Sequence, residues 1–319
     1  MAIELSAIIA CKNEARDIGK CLDAIAKQTL AAGKYEVIFV DGGSTDGTIG
    51  IIGKYRKRIR NLRLIKETGR IKSAANARNL GAQVAKGGIL AFFDADVIAD
   101  KGYFGEILSA FSSKIDAAST NAKSFPTKST WAILREHETL ASNYLFQKGR
   151  ADQFPNIMRK GLFEKVGGYD LNFRYGEDLR MLEKLKMMKA KIIHLDDGVV
   201  YHKDPDSFPE IAAQAHFWGK GFCRLLLSDP IRHMPRLCMV LARALLLPLM
   251  LIYLSIPDPA LFWLVLIMLL ITLADGLVVM YRSMRMGGKL KYALMLVPFR
   301  MLRSFYFLQG FMFAAFSLQ

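Results

Sequence analysis

Two aspartates, Asp94 and Asp96, close an apolar run that starts after Gly87-Gly88. Side chains two apart on a strand share a face, so both carboxylates can point at one object beyond the strand's end. Held side by side they repel each other. A hard cation such as Mg²⁺ or Mn²⁺ relieves that repulsion and completes its shell with substrate phosphate oxygens. The spacing therefore reads as a metal–diphosphate clamp, with a solvated acidic turn as its bland counterpart. A second acidic pair, Glu177-Asp178, opens a helix-forming stretch after Gly176. Carboxylates there suit the positive end of a helix dipole, and equally suit a base that takes a proton from a hydroxyl nucleophile.

The elements that must position these groups alternate in type. Residues 5–10 read as a strand ending at Cys11-Lys12-Asn13-Glu14, and Asp17 as the cap of a helix to Lys27. Residues 35–40 form a second buried strand, followed by Asp41-Gly42-Gly43-Ser44-Thr45-Asp46-Gly47-Thr48, where glycines allow close backbone approach and Asp46 can cap the next helix. Residues 62–66 make a third strand, 73–85 a helix bearing Arg78 and Asn79, and the Asp94/Asp96 strand comes next. The pattern loosens over 111–127; residues 131–147 then read as a helix and 199–202 as a late strand. Such alternation predicts an α/β fold with a mostly parallel sheet flanked by helices, whose ligands bind at the carboxyl ends of the strands. Glu14, Asp41, Asp94 and Asp96 all fall at such ends. The first strand–helix junction lacks G-x-G-x-x-G and the chain lacks G-x-x-x-x-G-K-[ST], which weighs against dinucleotide and P-loop sites.

The net charge of +15 includes a basic run over 54–72. It suits an anionic membrane face or a phosphorylated substrate. Nucleic acid ranks last, because the run lacks the interleaved aromatics of single-strand binders. Cys11, Cys21, Cys223 and Cys238 show no metal-ligand spacing and read as free thiols in a reducing compartment. The chain enters a strand almost at once, so no signal peptide is expected.

The segments Ala-Ile-Ile-Ala-Cys-Lys-Asn-Glu, Val-Asp-Gly-Gly-Ser-Thr-Asp-Gly-Thr, Ala-Arg-Asn-Leu-Gly and Phe-Phe-Asp-Ala-Asp occur in that order. Together they resemble the inverting GT-A glycosyltransferases of family 2, over roughly residues 3–228. The resemblance implies a nucleotide-diphosphate sugar donor and a divalent metal, Mn²⁺ or Mg²⁺. It implies that Glu14 and Asp41 hold base and ribose, that Arg78 lies near the nucleotide, and that Asp94 lies near the ribose. Asp96 would sit on the metal, beside Asp94, with His202 as a third metal or diphosphate ligand. The loop Gly168-Tyr169-Asp170 would shape the acceptor pocket, and Asp178 would be the catalytic base with Glu177 as its neighbour. Gly42 stands where many members carry a second aspartate, which leaves the nucleotide base open. The helix expected over 207–227 carries Gln214 and Trp218, but lacks the Gln-x-x-Arg-Trp spacing of processive synthases. Trp218 is expected at the acceptor side, near a membrane interface.

Mean hydropathy is +0.20, and most of the excess lies beyond Leu237. The expected organisation is a cytoplasmic catalytic domain over 1–206, an interfacial helix and linker over 207–236, and a membrane domain over 237–319. Residues 237–256 and 260–281 are each long enough to cross a bilayer. Arg282, Arg285, Lys289 and Lys291 follow the second span, and this places that side in the cytoplasm. Arg243 and Asp275 fall at similar depth on the two spans and are expected to meet. In the last segment, 289–318, Pro298 and the same-face pair Arg300 and Arg303 predict an interfacial helix to about Arg303 and then a short span or re-entrant piece. A tilted third span is the alternative. The two arginines are expected to hold the head-group of the acceptor. The combined expectation is a membrane-anchored glycosyltransferase acting on a hydroxyl of a lipid or lipid-linked acceptor. Its rivals are a polyprenyl-phosphate sugar synthase, a non-catalytic nucleotide-sugar-binding subunit and a nucleotidyltransferase.

Overall fold

A computed structural model describes residues 2–69, 71–112, 114–147, 155–173 and 176–317. Arg174 and Tyr175, just ahead of the Glu177-Asp178 pair, lie outside the described residues, as does Phe154. The chain divides into two compact units, Met1–Phe125 with Gln153–Lys203, and Pro126–Asp152 with Asp204–Gln319.

The first unit is built on β1 (Leu5–Cys11), α1 (Ile18–Ala26), β2 (Tyr35–Asp41), α2 (Thr48–Lys54), β3 (Leu62–Lys66), α3 (Ala74–Val84), β4 (Ile89–Asp94), β5 (Ile98–Ala99), α4 (Tyr103–Ala110) and β6 (Ala117–Ser124). After α5 (Thr130–Gln147), which belongs to the other unit, it resumes with β7 (Ile157–Arg159), α6 (Lys160–Lys165), α7 (Glu177–Met187) and β8 (Ile192–His202). The sheet order is β3-β2-β1-β4-β7-β6-β8-β5. β3, β2, β1 and β4 run parallel, β7 is antiparallel to both neighbours, β8 is parallel to β6, and β5 is antiparallel to β8.

The reason for two covered faces is written in the strands. Every position of β2 is buried, as expected for a central parallel strand with no solvent face. Alternate residues then divide between two cores. Leu5, Ala7, Ile9 and Phe93 pack with Ile18, Leu22, Tyr103 and Phe104 of α1 and α4. Ile8, Ile38, Leu90 and Phe92 pack with Ala75, Phe163, Met181 and Leu185 of α3, α6 and α7. Ser73 caps α3 by accepting from the Asn76 amide at 3.2 Å. Asp17 precedes α1 as expected but makes no side-chain cap bond. Its carboxylate instead meets Lys20 and Lys203, each at 3.4 Å.

The second unit comprises α5, α8 (Phe208–Ser228), α9 (Pro230–Ser255), α10 (Pro259–Arg285) and α11 (Leu290–Ser317). Residues 130–147 therefore belong with the C-terminal helices rather than with the catalytic unit expected over 1–206. Leu134 and Ala141 share a core with Ile211, Val279, Leu296 and Phe299, and this apolar seam is what assigns α5 there. α8 and α11 lie backbone to backbone: a Cβ on Gly219 would strike the Phe307 carbonyl, and one on Gly310 the His216 carbonyl. Asp258 caps α10 by accepting from the Leu261 amide at 2.9 Å.

Two helical segments, His233–Ser255 and Pro259–Arg285, are long and apolar enough to cross a membrane. Arg243 and Asp275 meet at 2.7 Å, as their depths predict. The third segment departs from expectation. α11 runs unbroken from Leu290 through Pro298 to Ser317, with no change of element at Arg303. The cost that argued for a break, two unpaired guanidiniums, does not arise, because Arg300 lies 3.3 Å from Asp275 and Arg303 pairs with Glu138.

Candidate functional site

The site is assembled at the carboxyl edge of β1, β2 and β4, and short-range topology explains its metal end. Two residues past Asp96, the chain enters β5, which pairs antiparallel with the end of β8, Ile98 opposite Tyr201. That register carries His202 back to the aspartates. Its Nε2 lies 3.3 Å from Asp96 Oδ2, and one ligand atom from each of Asp94, Asp96 and His202 falls within a 4.8 Å group. Asp94 ends β4, Asp96 lies in the turn after it rather than on the strand as expected, and His202 ends β8. Their two carboxylate oxygens and imidazole nitrogen form a donor set that fits Mn²⁺ or Mg²⁺. Burial holds the Asp96 carboxyl above its ordinary range, while the His202 charge pulls it down and Asp94 pushes it up.

Arg78 is the hub of the site. It projects from α3 with its side chain only 9% exposed, and its guanidinium spans three carboxylates: Asp94 at 3.0 Å, Glu177 at 3.1 Å and Asp178 at 3.1 Å. The Tyr169 ring lies beneath it, 5.3 Å from the guanidinium carbon. A planar fork with several donors is suited to such bridging. The resemblance places Arg78 near the nucleotide; the structure adds that it ties the first clamp aspartate to the acidic pair on α7. Exposure separates the members of that pair, because the Glu177 side chain is 12% exposed and that of Asp178 is 43% exposed. Asp178 is thus the more accessible of the two carboxylates and Glu177 the more enclosed. Burial and the charge of Asp178 push the Glu177 carboxyl up to about 7, against the pull of Arg78. Burial also raises Asp178, with Arg78 again opposing and Asp94 adding to the rise.

The residues expected on the nucleotide side lie on two laced loops. Asn13, in the left-handed region at φ 57°, accepts from the Thr45 amide at 2.9 Å, and its own amide donates to Ser44 Oγ at 2.9 Å. The Glu14 amide donates to Thr48 Oγ1 at 2.8 Å, and the Ala15 amide to Asp46 at 3.0 Å. Asp46 also accepts from the Thr48 amide at 3.1 Å, but Gly47 occupies the N-cap of α2 and no side chain caps it, so the cap role expected of Asp46 is not seen. Asp41 is buried, and its carboxylate accepts from the amides of Gly43 and Ser44 at 3.0 and 3.1 Å, so part of its bonding capacity shapes its own loop. Burial pushes Glu14 up to about 7, with the charges of Asp96, Asp17, Asp94 and Asp46 adding to it. Glu67 escaped sequence reading. It is buried beside Gly42 and accepts from the Ser73 amide at 2.9 Å and from Asn76 at 2.8 Å. A charged residue at the end of a strand was its only signal.

The residues expected on the acceptor side divide between the units. Asn79 clamps Tyr169 by accepting from its amide at 2.9 Å and donating to its carbonyl at 2.8 Å. Gly168, at φ 65°, makes the turn that allows this. Tyr169 is 3% exposed and edge-packed on Phe92. The ring thus supports Arg78 and the core, rather than walling an open pocket. Asp170 accepts from the Asn172 amide at 3.0 Å. Trp218, Arg300 and Arg303 belong to the C-terminal unit and form a group of their own. Trp218 is stacked by Arg135 at 5.0 Å and Arg303 at 5.1 Å. The two α11 arginines, expected to hold the head-group of the acceptor, have side chains 16% and 11% exposed that face Glu138 and Asp275.

Known proteins fit this geometry. The sequence model of Glycosyl transferase family 2 matches residues 6–167. Glycosyltransferase AglE of Haloferax volcanii is 29% identical over 231 residues, which cover 71% of this chain and 75% of that one. The poly(ribitol-phosphate) beta-glucosyltransferase of Bacillus spizizenii is 33% identical over 94 residues, 30% of this chain and 15% of that protein. The mannosyltransferase PcManGT of Pyrobaculum calidifontis, solved with GDP-Man and Mn²⁺, superposes with a TM-score of 0.59 at 18% identity, covering all of this chain and 89% of that one. At that identity the likeness establishes the GT-A-type fold.

Proposed function

The chain belongs to glycosyl transferase family 2, and from that premise we propose that it moves a sugar, with inversion, from a nucleotide-diphosphate donor to a hydroxyl of a lipid or lipid-linked acceptor. The observation that carries the reading is the Arg78 bridge, which ties an accessible carboxylate, Asp178, to Asp94, the first aspartate of the clamp. In the proposed reaction, Asp178 takes the proton of the acceptor hydroxyl as that oxygen attacks the anomeric carbon and the nucleotide diphosphate departs. Arg78 keeps the base oriented, and Glu177 keeps it beside a buried acid. A hydroxyl needs such a base, whereas a phosphate acceptor, already anionic near neutral pH, does not. Asp94, Asp96 and His202 would hold Mn²⁺ or Mg²⁺, which when bound offsets the charge of the diphosphate. Glu14 and Asp41, on the two laced loops, would take the base and ribose. The Mn²⁺ and GDP-Man in the Pyrobaculum structure support this donor class.

The membrane part of the proposal rests on α9 and α10. Leu247, Leu251, Leu254, Trp263, Ile267 and Leu277 are each at least half exposed, a surface that suits lipid better than water. The two helices would form a hairpin with the catalytic unit in the cytoplasm, given the basic residues that follow α10. The test is an assay of the purified protein in lipid against a panel of nucleotide sugars and of lipid alcohols and lipid-linked sugars. It reads nucleotide diphosphate release and the anomeric configuration of the product. Release that depends on a hydroxyl acceptor, with inversion, supports the proposal; release only with a lipid phosphate as the attacked group replaces it with a polyprenyl-phosphate sugar synthase.

A further inference from the structure

A second concentration of charge lies in the C-terminal unit and takes no part in the transfer chemistry. Five arginines gather there: Arg135 on α5, Arg236 and Arg243 on α9, and Arg300 and Arg303 on α11. The acids facing them are Glu138 on α5 and Asp275 on α10, with Asp204 ahead of α8 in electrostatic reach of Arg135. Ser304 accepts from Arg243 at 3.0 Å, and Gln214 from Arg135 at 3.4 Å. Among the described residues the cations therefore outnumber the anions. The side chains of Arg135, Arg243, Arg300 and Arg303 are 17%, 9%, 16% and 11% exposed, whereas Arg236 is exposed and open to a ligand.

The hydrogen bonding is also incomplete. Arg303 Nε is buried without a hydrogen-bond partner among the described residues, and Arg300 Nη1, though 3.3 Å from Asp275, makes no hydrogen bond among them. Arg236 makes no ion pair among them; its guanidinium rests 5.1 Å over Phe222 and 5.7 Å over Phe307, within electrostatic reach of Arg243 and Arg300. Excess positive charge among apolar helices is costly unless an anion meets it. Phosphate is the anion that matches guanidinium forks, since its several oxygens accept from more than one fork at once. The apolar exposed faces of α9 and α10 mean that such a phosphate arrives on a lipid.

We propose that this arginine cluster binds the phosphate group of a lipid. The inference rests on the proposed membrane setting of these helices and deepens the acceptor class, because a lipid-linked acceptor carries such a phosphate away from the hydroxyl that reacts. Trp218, stacked between Arg135 and Arg303, holds two of the forks in place. Glu138 and Asp275 keep the cluster assembled before the lipid arrives.

The test is equilibrium binding to the full-length protein in neutral detergent, without donor and without turnover. The probes are a polyprenyl phosphate, the matching polyprenol and phosphatidylglycerol. Phosphate-bearing lipid is expected to bind about tenfold or more tightly than polyprenol. The Arg236→Gln variant is expected to lose about that factor while keeping its thermal midpoint and its affinity for the donor. Preference for polyprenyl phosphate over phosphatidylglycerol identifies the acceptor's phosphate as the occupant; equal binding identifies a membrane phospholipid. Polyprenol binding as well as its phosphate, in the unmodified protein, overturns the proposal, as does phosphate binding that Arg236→Gln leaves unchanged. Because no turnover is read, failure here leaves glycosyl transfer standing, and an inactive enzyme leaves the binding result standing.

Discussion

The Nη1 atom of Arg78 lies 3.1 Å from Oδ1 of Asp178, across a separation of 100 residues in the chain. The same guanidinium reaches Asp94 through Nη2 at 3.0 Å. One side chain thus couples the groups assigned to the donor with those assigned to the acceptor, and its replacement should disturb both. Arg78→Lys keeps the charge but cannot span three carboxylates, so turnover should fall by roughly 10²-fold. Arg78→Ala should also cost roughly 2–3 kcal/mol of stability, less than for a wholly buried pair because Asp94 and Asp178 are partly in water. Steady-state kinetics and thermal unfolding on both variants check this; a lysine variant with full activity would remove Arg78 from the mechanism.

The pH profile has a definite sign. A general base must be deprotonated to act, so activity should rise with pH through the apparent value of the Glu177–Asp178 pair, which titrates as a unit. Burial raises both carboxyls, Glu177 to about 7. The acidic limb of kcat/KM should therefore lie above the ordinary aspartate value of about 4. Taking Arg78 away removes the one influence that lowers both, and so should shift the limb further up. A limb at or below about 4 in the unmodified protein would contradict the assignment.

Removal of metal should abolish transfer, and Mn²⁺ or Mg²⁺ should restore it. His202→Ala should weaken metal binding by roughly tenfold or more while leaving the fold intact, since one of three protein ligands is lost. Titration of Mn²⁺ followed by its electron spin resonance reads this directly. Unchanged Mn²⁺ affinity would make His202 a structural partner of Asp96 only.

The ion pair of Arg243 and Asp275 gives a stability test in the C-terminal unit. Arg243→Leu leaves a buried carboxylate with Arg300 alone and should cost roughly 3–5 kcal/mol. Adding Asp275→Leu should not add a second cost of that size, because the two charges are lost together. Full additivity in detergent unfolding experiments would show that the 2.7 Å contact is energetically idle.

Much of the first unit was legible because its central strands β1, β2 and β4 are buried and so read as continuous apolar runs. β1 to β3 fall within a residue of their expected places, whereas β4 ends at Asp94 and leaves Asp96, expected on the same strand, in the turn that follows. β6 was not, because after Ala117-Ala118 it turns polar through Thr120, Asn121, Lys123 and Ser124, and its pairing, not its composition, makes it a strand. β5 and β7 are two and three residues long, too short for any periodicity. That gap mattered, because β5 is what brings His202 to Asp96; the expectation for His202 came from the resemblance. The chain order of the motifs placed Asp94, Asp96 and the α7 acids in one family pattern, but no local signal shows that Arg78 joins them. That Arg300 and Arg303 face Glu138 and Asp275 was not legible, because those acids come from other helices.

The most direct test of the central claim separates turnover from donor binding in one variant. Asp178→Asn preserves size and removes the proton acceptor. Turnover should fall by roughly 10²-fold or more, with the affinity for the nucleotide sugar, measured by calorimetry in the presence of Mn²⁺, nearly unchanged. A collapse of donor affinity, or turnover equal to that of the unmodified protein, would contradict the assignment of Asp178 as the base.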